Sequence, residues 1–410
     1  MKVLHVSTSA RGGAGIAAMR LHKGLLAADV NSKFLSLDSS TAYLAKIPRP
    51  RLSILKRVLN RSKNELKNLG IYERKTTKEV VKTEGNYEIF SSPVTEYDIT
   101  LHPDYQEADI IHLHWVANFL DYPSFFRKNK KPVVWTLHDM NPFQGGFHYL
   151  GDKQRNQQLY DLEENYRNVK REALSHAQDV HIVCLSNWLL QESQKSEVLG
   201  SFPHHLIPNG INLEIFRPLD KFFSREVFRL PQDKTIILFI SDNVNNYRKG
   251  FDLLLEVIGN LKERTDVVFC AVGAKDKAEE AYDSQIFFIE SIRDEHLLAL
   301  LYSAADAFVL PSREDNLPNV MLEAMACGLP VISTPVGGML DVIKNNRNGI
   351  TSKSFSVKHL QEAILSYTYN KESFIVETIR NEINQNYSSE KQVMNYVKLY
   401  DNILCNSGMS

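Results

Sequence analysis

Short apolar runs of strand length alternate along this chain with longer segments whose apolar residues fall three and four apart. The runs Val3–Ser7, Ala108–Trp115, Pro132–Asp139 and Val180–Leu185 predict buried strands, and Ile16–Ala28, Arg155–His176 and Ser186–Ser193 predict the helices between them. In Arg155–His176 the apolar positions are Leu159, Leu162, Tyr166, Val169 and Leu174. After a strand, turn and linker over His205–Asn212, the alternation starts again. Strands are predicted at Thr235–Ile240, Val267–Gly273, Ile286–Ile289, Ala307–Leu310 and Val331–Thr334, with helices at Arg248–Asn260 and Glu295–Ala304. Such alternation belongs to parallel α/β sheets, and 410 residues hold two of them. The boundary is placed before His205, giving domains 1–204 and 205–389, with a final helix around Val393–Ile403 (within about 390–410) packing back on the first. Residues 76–100 show no period and are expected to be an irregular insertion with a hairpin.

The most informative stretch is Asp306–Asp341. A strand ending at Leu310 leads through Pro311-Ser312 into a helix of about ten residues, with Asn316 placed to cap it, Pro318 in its first turn and Gly328 with Pro330 as its stop. Strand, helix and strand in this order form a right-handed crossover, whose ligands bind beyond the carboxyl ends of the strands. The helix start and the Val336–Met339 loop suit a phosphate, and Glu323 on the helix suits two ribose hydroxyls; an ordinary crossover with a solvated glutamate fits equally well. Upstream, Arg248-Lys249-Gly250 opens another helix after a buried strand, an arrangement that cradles a diphosphate. The cluster around Gly12 and Gly13 permits close backbone approach, or is simply a tight turn; it is not a dinucleotide fingerprint. His112, His114 and His138 fall at carboxyl ends of predicted strands, where a lone histidine is more often structural than catalytic.

The run PSREDNLPNVMLEAMACGLPVIST resembles the signature of retaining glycosyltransferases of family 4, and TLHDMNPFQGG and IPNGIN extend the resemblance to both halves. It implies an α/β GT-B fold, two doubly wound Rossmann-like domains facing a central cleft. It also implies transfer of a sugar, with retention, from a UDP- or GDP-type nucleotide sugar to a hydroxyl acceptor, as in cell-surface polysaccharide or glycan biosynthesis. No cofactor and no metal is expected, and the partners are the nucleotide sugar and a carbohydrate or lipid-linked acceptor. The family's paired acids, with seven residues between them, fall on Asp315 and Glu323: Glu323 for the ribose, and Asp315 with Asn316, Leu317, Pro318 and Asn319 for the donor sugar. Lys249, with Arg248 as the nearest arginine, corresponds to the diphosphate site, and His138 to the histidine beside the reacting sugar. Gly12 and Gly13, with Asp139 and Trp115, correspond to the acceptor or phosphate side of the cleft. Two departures affect the sugar contacts. Asp315 replaces the usual glutamate and is shorter by about 1.5 Å, leaving Glu314 as an alternative, and Pro318 replaces a glycine and removes a backbone donor. These departures keep two other readings open: an epimerase or hydrolase on the same fold, and a non-catalytic nucleotide-sugar-binding partner.

A formal charge of −1 argues against nucleic-acid binding. Apolar runs fall short of a membrane span, and Met1–Val6 reads as a strand rather than a leader, so a cytoplasmic protein is expected. Cys184, Cys270, Cys327 and Cys405 are widely spaced and expected to be buried and unpaired. Between Arg49 and Lys67 seven cations surround an apolar stripe. That pattern suits a helix lying on the anionic inner face of a membrane, or equally one docked on its own domain.

Overall fold

Two all-parallel six-stranded sheets organise the chain, the first in the order β2-β1-β3-β4-β5-β6 and the second β12-β11-β10-β7-β8-β9. The first comprises β1 (Lys2–Val6), β2 (Asn31–Leu35), β3 (Ile110–Leu113), β4 (Val133–Leu137), β5 (Val180–Cys184) and β6 (His204–Leu206). The second comprises β7 (Thr235–Asn243), β8 (Val267–Ala274), β9 (Ile286–Ile289), β10 (Ala307–Leu310), β11 (Val331–Ser333) and β12 (Gly349–Thr351). This is a computed structural model describing residues 1–38, 85–243, 246–274, 285–406 and 408. The cationic segment Arg49–Lys67 and residues 76–84 of the expected hairpin lie outside the described residues. In the described part of that region, Phe90 bridges antiparallel to Phe147, a distant partner rather than a hairpin neighbour.

Helices cover both faces of each sheet, so a strand such as β4 (VVWTL) is buried at all five positions and carries no polar alternation. Each sheet reverses direction beside its first strand, between β1 and β3 and between β7 and β10. The crevices at these reversals, beyond the strand carboxyl ends, are where open α/β sheets hold ligands. The last helix, Ser389–Asn406, returns to the first sheet: Val393, Tyr396, Tyr400 and Ile403 pack with Val3, Ile110 and Val134. Tyr400 and Tyr396 also hydrogen-bond His112 and Thr136 within that sheet.

Several local expectations are corrected. The helix after β10 runs Asn319–Ala326, shorter than expected, and Pro318 stands at its N-cap position with no side-chain cap. Asn316 does not cap it, because its side chain crosses to the first domain. The predicted Arg155–His176 helix is a short helix Leu150–Arg155, a 3-10 turn and a helix Tyr160–Ser175. That last helix buries Glu163 and Lys170 with Ala173 and Leu174, because both charges find partners in the adjoining loop. Cys184, Cys270 and Cys327 are buried thiols, but Cys405 is exposed at the end of the final helix. Among the described residues no helix is long and apolar enough to cross a membrane.

Gly250 joins the turn Tyr247–Lys249 to the helix Phe251–Asn260 with φ at +72°. A Cβ there would lie 1.9 Å from the Pro311 carbonyl oxygen, at the end of β10. Gly250→Ala should therefore destabilise the chain by roughly 2 kcal/mol or more, from left-handed strain plus a displaced carbonyl. Denaturant unfolding measures this, and an unchanged midpoint would refute the packing described.

Candidate functional site

On the second domain the site grows from the loop between β10 and the helix Asn319–Ala326. Asp315 is 6% exposed, and its carboxylate accepts from the Lys249 ammonium at 2.7 Å, with Arg248 at 3.4 Å. Burial works to raise its pKa, but Lys249 and Arg248 together hold it below the usual range. The loop is fixed by Gly337, whose φ of +54° brings it so close that a Cβ would sit 1.6 Å from the Asp315 carbonyl oxygen. Leu317 and Pro318, farther along the same loop, are buried. Glu314 points the other way: its carboxylate accepts from Leu150 N (3.2 Å) and Gly151 N (2.7 Å) of the first domain. Of the two candidate acids, Asp315 is the one that meets Lys249.

On the first domain, β4 ends at Leu137 and delivers His138 and Asp139 to the facing edge. Asp139 is buried and accepts from His148 Nδ1 (2.6 Å), the Trp115 indole N–H (2.8 Å) and Asn141 N (2.9 Å). Asp139 and Trp115 thus hold one another at the end of β4. His148 Nε2 lies 2.9 Å from Ser91 Oγ, which completes a Ser–His–Asp line. Ser91 is 1% exposed, so the line braces the loop and cannot attack a substrate. Glu163 binds the backbone N–H groups of Gly145, Gly146 and Phe147, and Lys170 binds the carbonyls of Asn141 and Gln144. A buried carboxylate and a buried ammonium therefore shape the loop that carries His138.

The two edges meet through side chains. Asn316 takes a hydrogen bond from Ser186 (2.7 Å) and donates to the Leu137 and His138 carbonyls (3.3 and 3.2 Å). Asn319 donates to the Gly13 carbonyl at 2.9 Å, which brings the glycine loop to the second domain; a Cβ on Gly12 or Gly13 would meet only open space. Arg248 donates to Glu88 (2.7 Å) and to the Glu314 carbonyl (3.0 Å), and lies 4.3 Å over the Tyr149 ring. Its guanidinium is thus engaged by the first domain and by the loop. Glu323, 4% exposed, accepts from Arg20 at 2.7 Å and from the Tyr302 hydroxyl at 2.9 Å, while Arg20 also bonds Glu295. The solvated glutamate of the simpler reading is thus excluded.

Arg20, Tyr302, Glu88, Glu163 and Lys170 were not singled out from the sequence. For Glu163 and Lys170 a signal existed, since seven residues apart they share a helix face. For Arg20 no local signal existed, because its partners are some 300 positions away.

Residues 11–215 match the family described as Glycosyltransferase Family 4, and residues 234–370 match Glycosyl transferases group 1. D-inositol 3-phosphate glycosyltransferase 2 of Catenulispora acidiphila is 27% identical over 281 residues, covering 63% of this chain and 62% of the relative. The chain thus spans less than two thirds of that relative's length. The putative teichuronic acid biosynthesis glycosyltransferase TuaC of Bacillus subtilis is 29% identical over 46% of each chain. Among solved structures, sucrose-phosphate synthase from Thermosynechococcus elongatus superposes with a TM-score of 0.72 at 18% identity over 99% of both chains. Anabaena HepE in complex with UDP and glucose gives 0.67 at 15% identity, covering 98% of this chain and 99% of that one. At these identities the likeness is one of fold, the GT-B arrangement of two Rossmann-like domains.

Five histidines, His5, His22, His112, His114 and His138, crowd the carboxyl half of β1 and β3 and their neighbours. Burial drives His5, His112 and His114 well below the usual imidazole pKa and His138 to about 4. As pH falls below about 6.5 the unfolded chain protonates these rings before the folded one does, so the unfolded state binds more protons and stability drops. Each such ring contributes a loss of about 1.4 kcal/mol per pH unit. Denaturant midpoints should decline as pH falls below about 6.5. A flat profile across that window would mean the rings charge without cost in the folded protein.

Proposed function

We propose that this chain, which belongs to glycosyltransferase family 4, transfers a sugar with retention from a nucleotide sugar to a hydroxyl acceptor in glycan biosynthesis. The observation that carries this reading is the seam at Asp315 and Asn316. Asp315 meets Lys249, and Asn316 beside it is bonded to the His138 carbonyl of the opposite domain. A sugar diphosphate set into this seam would have a cation and a helix start at its phosphates, an acid at the sugar, and an imidazole across the cleft. The UDP and glucose held by HepE suit a uridine donor, although the family resemblance extends to GDP sugars.

In this reading Lys249 and the start of the helix Phe251–Asn260 neutralise charge that grows on the departing diphosphate, so the protein itself supplies what a metal would. Asp315 holds hydroxyls of the transferred sugar, and His138 bonds the sugar from the other side. The acceptor hydroxyl forms its bond to the anomeric carbon on the face from which the diphosphate leaves, and the departing phosphate oxygen takes its proton. Glu323 holds the ribose, whose hydroxyls replace Arg20 at Oε1 while Tyr302 keeps Oε2.

Two results test this. A thermal-shift panel of UDP, GDP and ADP sugars identifies the donor, and labelled donor with and without acceptors distinguishes transfer from epimerisation, hydrolysis or mere binding. With that donor, Lys249→Ala should lower kcat on the order of 10²-fold with a smaller change in donor KM. Equal losses in both would reduce Lys249 to ground-state positioning.

Arg20 gives a paired test of Glu323. Glu323→Ala should weaken nucleotide binding by roughly 1.5–3 kcal/mol and also lower the thermal midpoint, since Arg20 loses a buried partner. Arg20→Ala removes the same ion pair but keeps the carboxylate, so nucleotide affinity should hold or rise. Calorimetry in which both variants lose affinity equally would place the ribose elsewhere.

A further inference from the structure

His138 is the end of a line of imidazoles. Its Nε2 lies 3.3 Å from His114 Nδ1, and His114 Nε2 lies 2.9 Å from His5 Nδ1. The far end, His5 Nε2, is fully buried with no hydrogen-bond partner among the described residues. The near end, His138, is half-buried at the seam, and its Nδ1 has no protein partner among those residues.

We infer that His5 and His114 fix the tautomer of His138, holding its proton on Nδ1, so that this ring meets the donor sugar as a neutral hydrogen-bond donor and not as a base. A neutral imidazole has one N–H and one bare nitrogen, so a line of three has only two fully bonded arrangements. In one, every ring carries its proton on Nδ1: His5 donates to His114, His114 donates to His138, and His138 presents an N–H at the cleft. In the other, every proton sits on Nε2, which leaves the N–H of His5 buried with no acceptor. Folded proteins almost never strand a buried donor, and they tolerate an unfilled acceptor more readily. At the cleft end either form can be satisfied by water or a sugar hydroxyl, so the buried end decides. Burial keeps all three rings neutral near pH 7, as the line requires.

A bound metal is the competing reading of this cluster, because nitrogen atoms of His5, His112 and His114 lie within 4.8 Å of one another. Both nitrogens of His112, however, are engaged, by Tyr400 and Thr136. The 2.9 Å between His5 and His114 is a hydrogen-bond length, shorter than the about 3.3 Å between ligands on a tetrahedral zinc. His5 and His114 are therefore positioning residues that act through His138.

The inference rests on the reading of His138 as a sugar-contacting group, but its first test does not need the reaction. Two-bond proton–nitrogen NMR correlations on the full chain, labelled with ¹⁵N-histidine, report the tautomer of each ring. At about pH 7 His5, His114 and His138 should each show a protonated Nδ1 and a bare Nε2. A protonated Nε2 on His138, or an averaged pair, overturns the proposal, as does one equivalent of tightly held metal that His5→Ala releases. In the second test, His114→Phe removes the donor to His138 and should lower kcat by about tenfold or more with donor KM within about twofold. His114→Asn, whose amide nitrogen stands near the position of Nδ1, should restore most of that loss and the His138 tautomer. Equal loss in the two variants at unchanged tautomer would leave His114 a packing residue and overturn the inference. Should the tautomer pattern appear in a chain that transfers no sugar, the assignment of the line stands and the reading of the reaction falls.

Discussion

Two parallel sheets that face each other edge to edge create a shared problem: their loops carry carboxylates into a seam with little water, where an unpaired charge is costly. Each such acid has found its partner in a loop or across the seam. Glu323 is held by Arg20, Asp315 by Lys249 and Glu314 by two backbone donors of the opposite domain, while the exposed Glu88 pairs with Arg248. These pairs position the domains, and most of the groups involved are the ones that a nucleotide sugar would engage. Under the proposed function, donor binding would be an exchange of partners and not the filling of a preformed set of free groups. Its free energy is the difference between two well-paired arrangements. A substitution at one carboxylate consequently acts on its cation as well, which is why Glu323 and Arg20 have to be tested together.

The first domain solves a different problem. The loop after β4 must present His138 while running through a buried region, and its backbone groups need partners that no strand supplies. Glu163 and Lys170, two turns apart on one helix, provide them, and the Ser91–His148–Asp139 line ties the loop to the Phe90 segment. Acidic and basic side chains here do the work of secondary structure. Behind the loop, neutral imidazoles replace charges, and the last helix closes that layer through Tyr396 and Tyr400. The C-terminal helix thus bears on the site from a distance: it engages both nitrogens of His112, directly through Tyr400 and by way of Thr136 at the other.

What the sequence determined by itself was the alternation of strand and helix and the places where loops carry chemistry. Strands such as Ala307–Leu310 and Ile286–Ile289 are apolar at every position, and these and the helix Glu295–Ala304 were legible to the residue. The lysine–glycine pair was legible for a related reason: a turn needing positive φ marks itself with glycine. Boundaries were less legible wherever a long-range contact outbid a local one. Asn316 is a good cap by type, yet its amide serves Ser186 and two carbonyls of the other domain, and the helix begins after Pro318 without it. Glu163 and Lys170 look solvent-bound by type and are buried, because their partners lie in a loop that the helix pattern does not encode. The partners of the site's charges were decided only by the tertiary structure. Periodicity reports which face of an element is buried, but it carries no information about which distant side chain will arrive opposite a given carboxylate. That choice depends on how two separately folded sheets meet, and Arg20 against Glu323 exists only once they have.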